Sequence, residues 1–468
     1  MKFTLNKYLE EKVHFIGIGG VSMSGLAAIL LNNNIQVSGS DSKKSETTEK
    51  LKTLGASIYV GHSRGYLNNV SLVVYTAAIP QDNPELLEAQ EKNIKAIDRA
   101  EFLGFLMKDY TKNIAVAGTH GKTTTTSMLT NITLSAKLDP TILVGGDVEA
   151  INGNFRIGNS EYFITESCEY KASFLKFNPF VGIILNIDED HLDFYRDINH
   201  IEYTFLKFAN IIPATGCLVA CADDVRTSKL AKKISHCKVI TYGVENGDVQ
   251  AKNIHYDKTG CAKFIVSISG TKEFEIKLSS PGKHNILNAL AAISSSVFLN
   301  IPIEHIQRGL LECKGAHKRF EYKGSYNDAT IIDDYAHHPN EIKATLDTAK
   351  LIPHNRTYVV FQPHTYTRTK ALFNDFVNCF EHSDELILLD IYAAREKDTG
   401  LVSSVQLGDS IRKTGLKCIN VSSHADAFKY LQSKIKKDDM LLTIGAGDVV
   451  NVANMLINEL SNKSNILL

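Results

Sequence analysis

The sequence carries almost no net charge: 51 lysines and arginines stand against 52 aspartates and glutamates, a formal balance of -1 over 468 residues. That leaves no broad basic field to draw in nucleic acid and no acidic tail. Long apolar runs are missing as well. No stretch approaches the roughly eighteen residues of a membrane span, so no membrane insertion is expected. Cysteine is scarce: the chain has 8, scattered and without a CxxC pair. Cys217 and Cys221 ("CLVAC") lie in an apolar segment without histidines at zinc spacing, and no HExxH occurs. Reduced thiols in a cytoplasmic protein are the reading. The opening "MKFTLNKYLEEK" is charged and runs straight into a strand-like segment, unlike a secretory signal. There is no internal repeat and no low-complexity segment.

What is present is alternation. A chain of this length holds roughly three domains. Apolar β-branched runs alternate with helical patterns nearly throughout, which predicts α/β units with parallel sheets. "KVHFIGIGG", "IQVSGSD" and "SLVVYTAAIP" read as strands, with "SMSGLAAILL" as a helix after the first, and a boundary is expected near 109–112. A second unit begins at "NIAVAG" and includes "EYFITESCEY", "FVGIILNIDEDHLDFY", a β-rich span near 237–279 and the helical "GKHNILNALAAISSSVF". After a boundary around 314–320, "ATIIDDY", "TYVVFQPH", "ELILLDIY" and "MLLTIGAG" form the strands of a third. The expected domains are 1–109, 110–316 and 317–468: Rossmann-like, P-loop-type ATPase and Rossmann-like.

"AVAGTHGKTTTTSML", residues 115–129, raises the question of a triphosphate site. A strict P-loop wants glycine where Val116 stands. The physics survives this departure, because a strand, a tight glycine loop and a helix starting at Lys122 aim backbone N–H groups at an anion. Gly118 and Gly121 allow close backbone approach. Thr119 and His120 shorten the loop. Lys122 can reach the outer phosphates, and Thr123, followed by Thr124, can set a hydroxyl on Mg²⁺. A lysine-threonine stack is a poor helix former with little packing value, which argues against an ordinary turn. Further metal ligands are expected at neighbouring strand ends: Glu166, and the "DEDHLD" segment with Asp190, His191 and Asp193.

"GIGGVSMSGLA" is a degenerate dinucleotide fingerprint, with Gly17, Gly19 and then Ser22 at the third position, and Asp41 ends the next strand where a ribose-binding acid belongs. It suits a nicotinamide enzyme or a Rossmann-like unit holding a nucleotide diphosphate. A dehydrogenase has no use for a GKT loop with metal ligands in the next domain, which favours a nucleotide-linked substrate. "GAGDVV" lacks a third glycine and reads as a strand-to-helix turn without a cofactor of its own.

In this order, "GIGGVSMSGLA", "AGTHGKTTTT", "ESCEYKASFL", "NIDEDHLDFY", "GKHNILNALAA", "HKRFE", "DDYAHHPNEI", "FQPHTYTRT" and "GAGDVV" resemble the motifs of Mur ligases, over nearly the whole chain. "DDYAHHPNEI" and "FQPHTYTRT" are most similar to the members that join L-alanine to UDP-N-acetylmuramate. The resemblance implies ATP- and Mg²⁺-dependent amide formation in the cytoplasm, through an acyl phosphate. It implies that Thr123 and Glu166 hold the metal on ATP and His191 a second one. His284, Asn285 and Asn288 would meet the adenine, and Arg319 the γ-phosphate. Asp334 with His337 or His338 would come from the third domain, and Arg368 would clamp the alanine carboxylate. Gly19, Gly20, Ser40, Asp41 and Thr76 would line the UDP site. One histidine of the pair precedes a proline and a helix, where capping is the competing role. Thr365 stands where some members carry arginine. Lys207 does not align with the carbamylated lysine of several relatives. A ligase adding a peptide to the same sugar nucleotide, a nicotinamide oxidoreductase and a non-catalytic nucleotide-binding regulator are the alternatives.

Overall fold

The computed structural model describes residues 12–466 apart from 77, 395 and 399, with side chains as far as 459. Nearly all of the charged opening segment lies outside the described residues. Three sheets follow one another along the chain. The first has β1 (Lys12–Ile16), β2 (Gln36–Asp41), β3 (Ser57–Val60), β4 (Val70–Tyr75) and β5 (Lys95–Asp98), in the order β3-β2-β1-β4-β5. All its pairings are parallel. The strand order reverses between β1 and β4, and a crevice opens there at the carboxyl ends. The glycine turn after β1 lies on its rim.

The second sheet runs from β6 (Lys112–Ala117) through β7 (Thr141–Val148), β8 (Gly153–Arg156), β9 (Tyr162–Ser167), β10 (Val181–Ile184), β11 (Cys217–Cys221) and β12 (Lys238–Gly243) to β13 (Val249–Tyr256), β14 (Cys261–Ile268) and β15 (Lys272–Pro281). Its order is β15-β14-β13-β12-β11-β10-β6-β9-β7-β8. β6 is central because its sequence, "KNIAVA", is apolar on both faces and buried from Asn113 onward. It pairs in parallel with β9 on one side and β10 on the other. The loops leaving β6, β9 and β10 therefore emerge side by side.

The third sheet has β16 (Glu321–Tyr326), β17 (Ala329–Asp334), β18 (Thr357–Phe361), β19 (Glu385–Leu389), β20 (Lys417–Val421) and β21 (Met440–Ile444), in the order β16-β17-β21-β18-β19-β20. β16 is its one antiparallel edge among the described residues. Gly445 and Gly447 form the turn after β21, with Gly445 N–H donating to Asp334 O at 3.0 Å.

The helix Lys122–Ser135 corrects one expectation. Its threonines have packing value: Thr125, Thr126, Thr130 and Thr133 are all fully buried. Thr126 and Thr133 return their hydroxyls to the carbonyls of Lys122 and Leu129, at 2.8 and 2.7 Å. Those bonds let a polar sequence sit in a core. The helix Ile303–Glu312 packs against it at Gly309, where a Cβ would stand 2.5 Å from the backbone of Ile132. Leucine or valine at 309 has no room. Gly309→Val is expected to destabilise the protein by about 2 kcal/mol or more through overpacking, measured as a lowered melting temperature.

Candidate functional site

Gly121 caps the helix Lys122–Ser135 in a left-handed conformation, φ 84°, and the first helical turn carries no acid. The N–H groups there and the positive helix end thus face an open position. A Cβ on Gly121 would approach Asn288 Oδ1 to 2.5 Å. Gly121→Ala is expected to raise KM for ATP at least tenfold, through strain at positive φ and displacement of Asn288, measured by steady-state phosphate release.

Lys122 folds back over its own loop. Its ammonium donates to Thr119 O at 3.0 Å and to Glu169 Oε2 at 3.1 Å. Burial alone pushes Lys122 down, but Glu169 outweighs it, so the amine stays charged. Glu169, almost fully buried, also lies 3.9 Å from His191 Nε2. Sequence reasoning passed over it, though it stands three residues past Glu166 in "ESCE". The left-handed backbone of Lys171 and Ala172, φ 54° and 53°, follows directly. His191 shares that conformation, φ 55°, with its ring 4.7 Å from that of Tyr170. Strained residues of this kind gather where a site dictates side-chain direction.

Glu166 leaves β9 with Oε1 accepting from Gly145 N–H at 2.7 Å. Thr123 Cγ2 lies 3.4 Å from where a Cβ on Gly146 would stand. Thr123 and Glu166 thus flank the Gly145–Gly146 backbone. A hydroxyl, carboxylates and one imidazole beside a phosphate loop suit Mg²⁺, which takes one or two carboxylates and completes its shell with water and phosphate oxygens. Lys207 sits on an exposed helix face with its ammonium 4.4 Å from the Tyr203 ring, away from this group.

A cavity of about 360 Å³ opens above the loop. The structure brings His120, Gly121, Thr123, Thr124, His284, Asn285, Asn288, Arg319 and Asp334 to its wall, from segments more than two hundred positions apart in the chain. Gly118, Thr119 and Lys122 form the turn behind it. Asn186, Asp223, Tyr242 and Glu341 join the wall without having been foreseen. Burial holds His284 neutral, down to about 4. Burial also lifts Asp334 to about 6. Its carboxylate accepts from Phe320 N–H, Ala336 N–H and the Thr345 hydroxyl, at 3.1, 2.8 and 3.0 Å. Arg319 lies 5.5 Å over the Tyr335 ring and 4.0 Å from Glu341.

A second cavity, about 520 Å³, is lined by Asp190, His191, Tyr170, His364, Thr365 and Arg368, among others. Arg368 is engaged with Asp190 Oδ1 through Nη2 at 3.1 Å and Nε at 3.3 Å. His337 is half-buried, its Nδ1 donating to Tyr335 O at 3.0 Å. Burial pushes this ring down, so it is neutral. His338 plays the competing capping role: Nδ1 accepts from Asn340 N–H at 3.3 Å, and Nε2 meets Glu189 O at 3.0 Å. Both its nitrogens are committed, so it offers nothing to a substrate in this arrangement.

His120 bridges two sheets, with Nε2 3.3 Å from Asp188 and Nδ1 3.1 Å from Glu341. Burial alone lowers its pKa, but the hydrogen bonds with Asp188 and Glu341 outweigh it and raise the group from 6.5 to about 9. The folded state holds this proton more tightly than the unfolded chain does. Its contribution is complete below about 6.5 and is lost as pH rises through about 9. Without nucleotide, the melting temperature is expected to fall across that window, and the fall should be smaller in His120→Asn. Equal pH profiles for the two proteins would exclude the bridge.

At the first sheet, Gly19 N–H donates to Asp41 Oδ2 at 2.9 Å, and Thr76 Cγ2 lies against Gly17. Gly20 caps the next helix, Val21–Asn32, with no side-chain hydrogen bond and no acid in the first turn. Ser40 is fully buried and its hydroxyl donates to Glu85 at 2.8 Å, which leaves it unavailable at the crevice.

Three α/β units, a glycine turn at the first crevice and a phosphate loop flanked by carboxylates and a histidine define a nucleotide-dependent ligase architecture. Family models match in sequence: Mur ligase family, catalytic domain, over 12–111; Mur ligase middle domain over 116–296; and Mur ligase, glutamate ligase domain, over 318–447. The chain belongs to the Mur ligase family. It is 62% identical to the UDP-N-acetylmuramate–L-alanine ligase of Clostridium beijerinckii over 97% of this chain and 98% of that one. It is 60% identical to the enzyme of the same name from Clostridium perfringens, over 98% and 100%. Among solved structures, the UDP-N-acetylmuramate-alanine ligase of Thermotoga maritima superposes with a TM-score of 0.81 at 29% identity, over 97% of this chain and all of that one.

Proposed function

We infer that this chain is an ATP-dependent ligase that joins L-alanine to the lactyl carboxylate of UDP-N-acetylmuramate, a step of peptidoglycan precursor synthesis. The observation that carries the reading is the adjacency of three strand ends in the second sheet. They set the phosphate loop, the carboxylates of "ESCE" and His191 beside one another, between two cavities reached by Arg319 and Arg368. The identity of about 60% to curated ligases of this substrate pair supports it.

The carboxylate oxygen attacks the γ-phosphorus and ADP leaves, giving an acyl phosphate. The alanine amine then attacks the carbonyl and phosphate leaves. Two anions must meet in the first step, so the site has to spread positive charge over both. Lys122, released from Glu169, turns onto the β- and γ-phosphates, and Arg319 reaches the γ-phosphate from the third sheet. Gly118, Thr119, His120, Gly121 and Thr124 cradle the phosphates, and His284, Asn285 and Asn288 take the adenine end. Asp334 holds the Arg319 loop and the helix Pro339–Ala349 in place. Thr123, Glu166 and His191 would hold Mg²⁺, with Glu169 beside them. Bound there, the metal neutralises phosphate charge. Arg368 takes the alanine carboxylate, and neutral His337, with Nε2 free of a partner among the described residues, accepts the amine proton. Gly19, Gly20, Asp41 and Thr76 receive the UDP.

The working units are 1–109 for the sugar nucleotide, 110–316 for ATP and 317–468 for the amino acid. Among the described residues no helix is long and apolar enough to cross a membrane. Nucleotide-linked substrates and ATP support a cytoplasmic location for the reaction. The test is phosphate release from Mg-ATP and UDP-N-acetylmuramate with L-alanine, glycine, D-glutamate or an L-alanyl peptide. Release that needs L-alanine is expected. Release with the peptide alone would reassign the enzyme to precursor recycling.

A further inference from the structure

Apart from the Mg²⁺ ligands beside the phosphate loop, a second group of side chains has ligand atoms close enough to share an ion. His120, Asp188 and His338 each bring one, and the three atoms all lie within 4.8 Å of one another. They come from the loop after β6, the run after β10, and the residue that caps the helix Pro339–Ala349. The first two thus belong to the second unit and His338 to the third. The ligase chemistry above uses His120 and leaves Asp188 and His338 without a part.

Zn²⁺ takes imidazole nitrogens and carboxylate oxygens tetrahedrally at about 2.0–2.2 Å, which sets neighbouring ligand atoms about 3.3 Å apart. His120 Nε2 and Asp188 Oδ2 already stand at 3.3 Å. The His338 ring lies 4.7 Å from the His120 ring, tilted by 51°. Giving up one of its two hydrogen bonds, with Glu189 O or Asn340 N–H, frees a nitrogen to close the remaining gap. A water completes the four ligands.

The surroundings are those a metal-binding histidine needs. Such a ring donates its other N–H to a carboxylate, which fixes the tautomer and the ring direction. His120 Nδ1 lies 3.1 Å from Glu341 Oε1. Burial pushes Glu341 up, but His337, His120 and Arg319 outweigh it and hold it ionised. An ionised carboxylate accepts only, so the Nδ1 proton stays, and losing the Nε2 proton turns a lone pair towards Asp188. Asn340 Nδ2 donates to Asp188 Oδ2 at 2.5 Å and steadies that ligand. The His120 and Asp188 side chains are 19% and 24% exposed, which lets an ion reach them. Two imidazoles in the set favour Zn²⁺ over Mg²⁺, which seeks oxygen.

We propose that His120, Asp188 and His338 form a zinc site joining the second and third units, and that Zn²⁺ bound there inhibits turnover by withdrawing His120 from the nucleotide phosphates. The site stands apart from the ligase reading, and only the inhibition rests on it.

Competition for Zn²⁺ between a chromophoric chelator and the nucleotide-free chain tests the site, at about pH 8, where the proton on His120 competes less than at neutral pH. Losing a ligand costs more than the roughly 10–100-fold of an outer partner, so His338→Asn should weaken binding at least about a hundredfold. Asparagine keeps the helix capped, so the loss is not one of folding. His338→Asp also caps and returns a carboxylate ligand, so it should stay within about tenfold of the wild type. A wild type that binds Zn²⁺ no more tightly than folded His338→Asn overturns the proposal. If His338→Asn fails to fold, Asp188→Asn takes its place with the same expected loss. Inhibition is read as phosphate release from Mg-ATP with rising Zn²⁺, and its midpoint should move up in His338→Asn in step with the lost affinity. An unmoved midpoint would put the inhibiting ion on the phosphate loop and overturn the inhibitory role. Zinc binding that needs His338, in a chain that releases no phosphate with any amine, would uphold the site and sink the ligase reading instead.

Discussion

Lys122→Ala is expected to lower turnover roughly 10³-fold while leaving UDP-sugar affinity within a factor of about two. The ammonium is held by carbonyls of its own loop and by Glu169, all of which are hydrogen-bond acceptors. An arriving triphosphate is a stronger acceptor than any of them and stands where the helix Lys122–Ser135 aims its N-terminus. Removing the charge leaves Glu169 buried against incoming phosphate, so the loss exceeds one hydrogen bond. In the proposed arrangement the sugar nucleotide meets a different sheet, so its binding is expected not to depend on the loop. Phosphate release under saturating substrates, together with calorimetry of the UDP-sugar, separates the two effects. Near-normal turnover would remove Lys122 from the mechanism.

The second large effect is expected at Arg319. Arg319→Ala should slow acyl-phosphate formation by about 10³-fold, the scale of a guanidinium brought to a transferring phosphoryl group. Lys318 and Phe320 on either side are both left-handed, φ 62° and 47°, and Asp334 holds Phe320 N–H. The loop is thereby forced to direct Arg319 into the cavity above the phosphate loop. Arg319→Lys keeps the charge and loses the planar fork, so it should recover only part of the rate. Single-turnover ADP formation is the measurement, and a wild-type burst in the alanine variant would exclude the role.

The phosphate loop was legible because its chemistry is local. A strand, two glycines and a lysine lie within eight residues, and β6 had to be central because it is apolar on both faces. Glu166 stands at the end of β9 where that reasoning put it, whereas His191 lies well past β10, in the loop that follows it. Glu341 was not legible. It meets His120 from 221 positions away, and nothing in "HHPNEI" distinguishes a bridging acid from a solvated one at a helix start. Glu169 was hidden by its neighbour, since spacing cannot tell which of two glutamates a strand end turns inward. Ser40 shows the converse failure. It sits at the right strand end, yet the pleat and Glu85 turn its hydroxyl into the core. The threonine-rich helix misled because propensity prices a hydroxyl as if it had no carbonyl one turn back to bond.

The segment 188–190 is gripped three times from the third unit and once from the loop after β6. Asn340 and His120, with Glu341 behind it, reach Asp188; His338 holds Glu189 O; and Arg368 holds Asp190. An amino acid that draws Arg368 onto its own carboxylate releases one of those grips, and a nucleotide that reorients His120 releases another. Each ligand therefore lowers the cost of the rearrangement the other needs. If Arg368 takes the amino acid and His120 meets the nucleotide as proposed, saturation with one is expected to tighten the apparent affinity for the other, and by reciprocity by the same factor. The short acidic run between β10 and the next helix is where the two halves of the cleft meet.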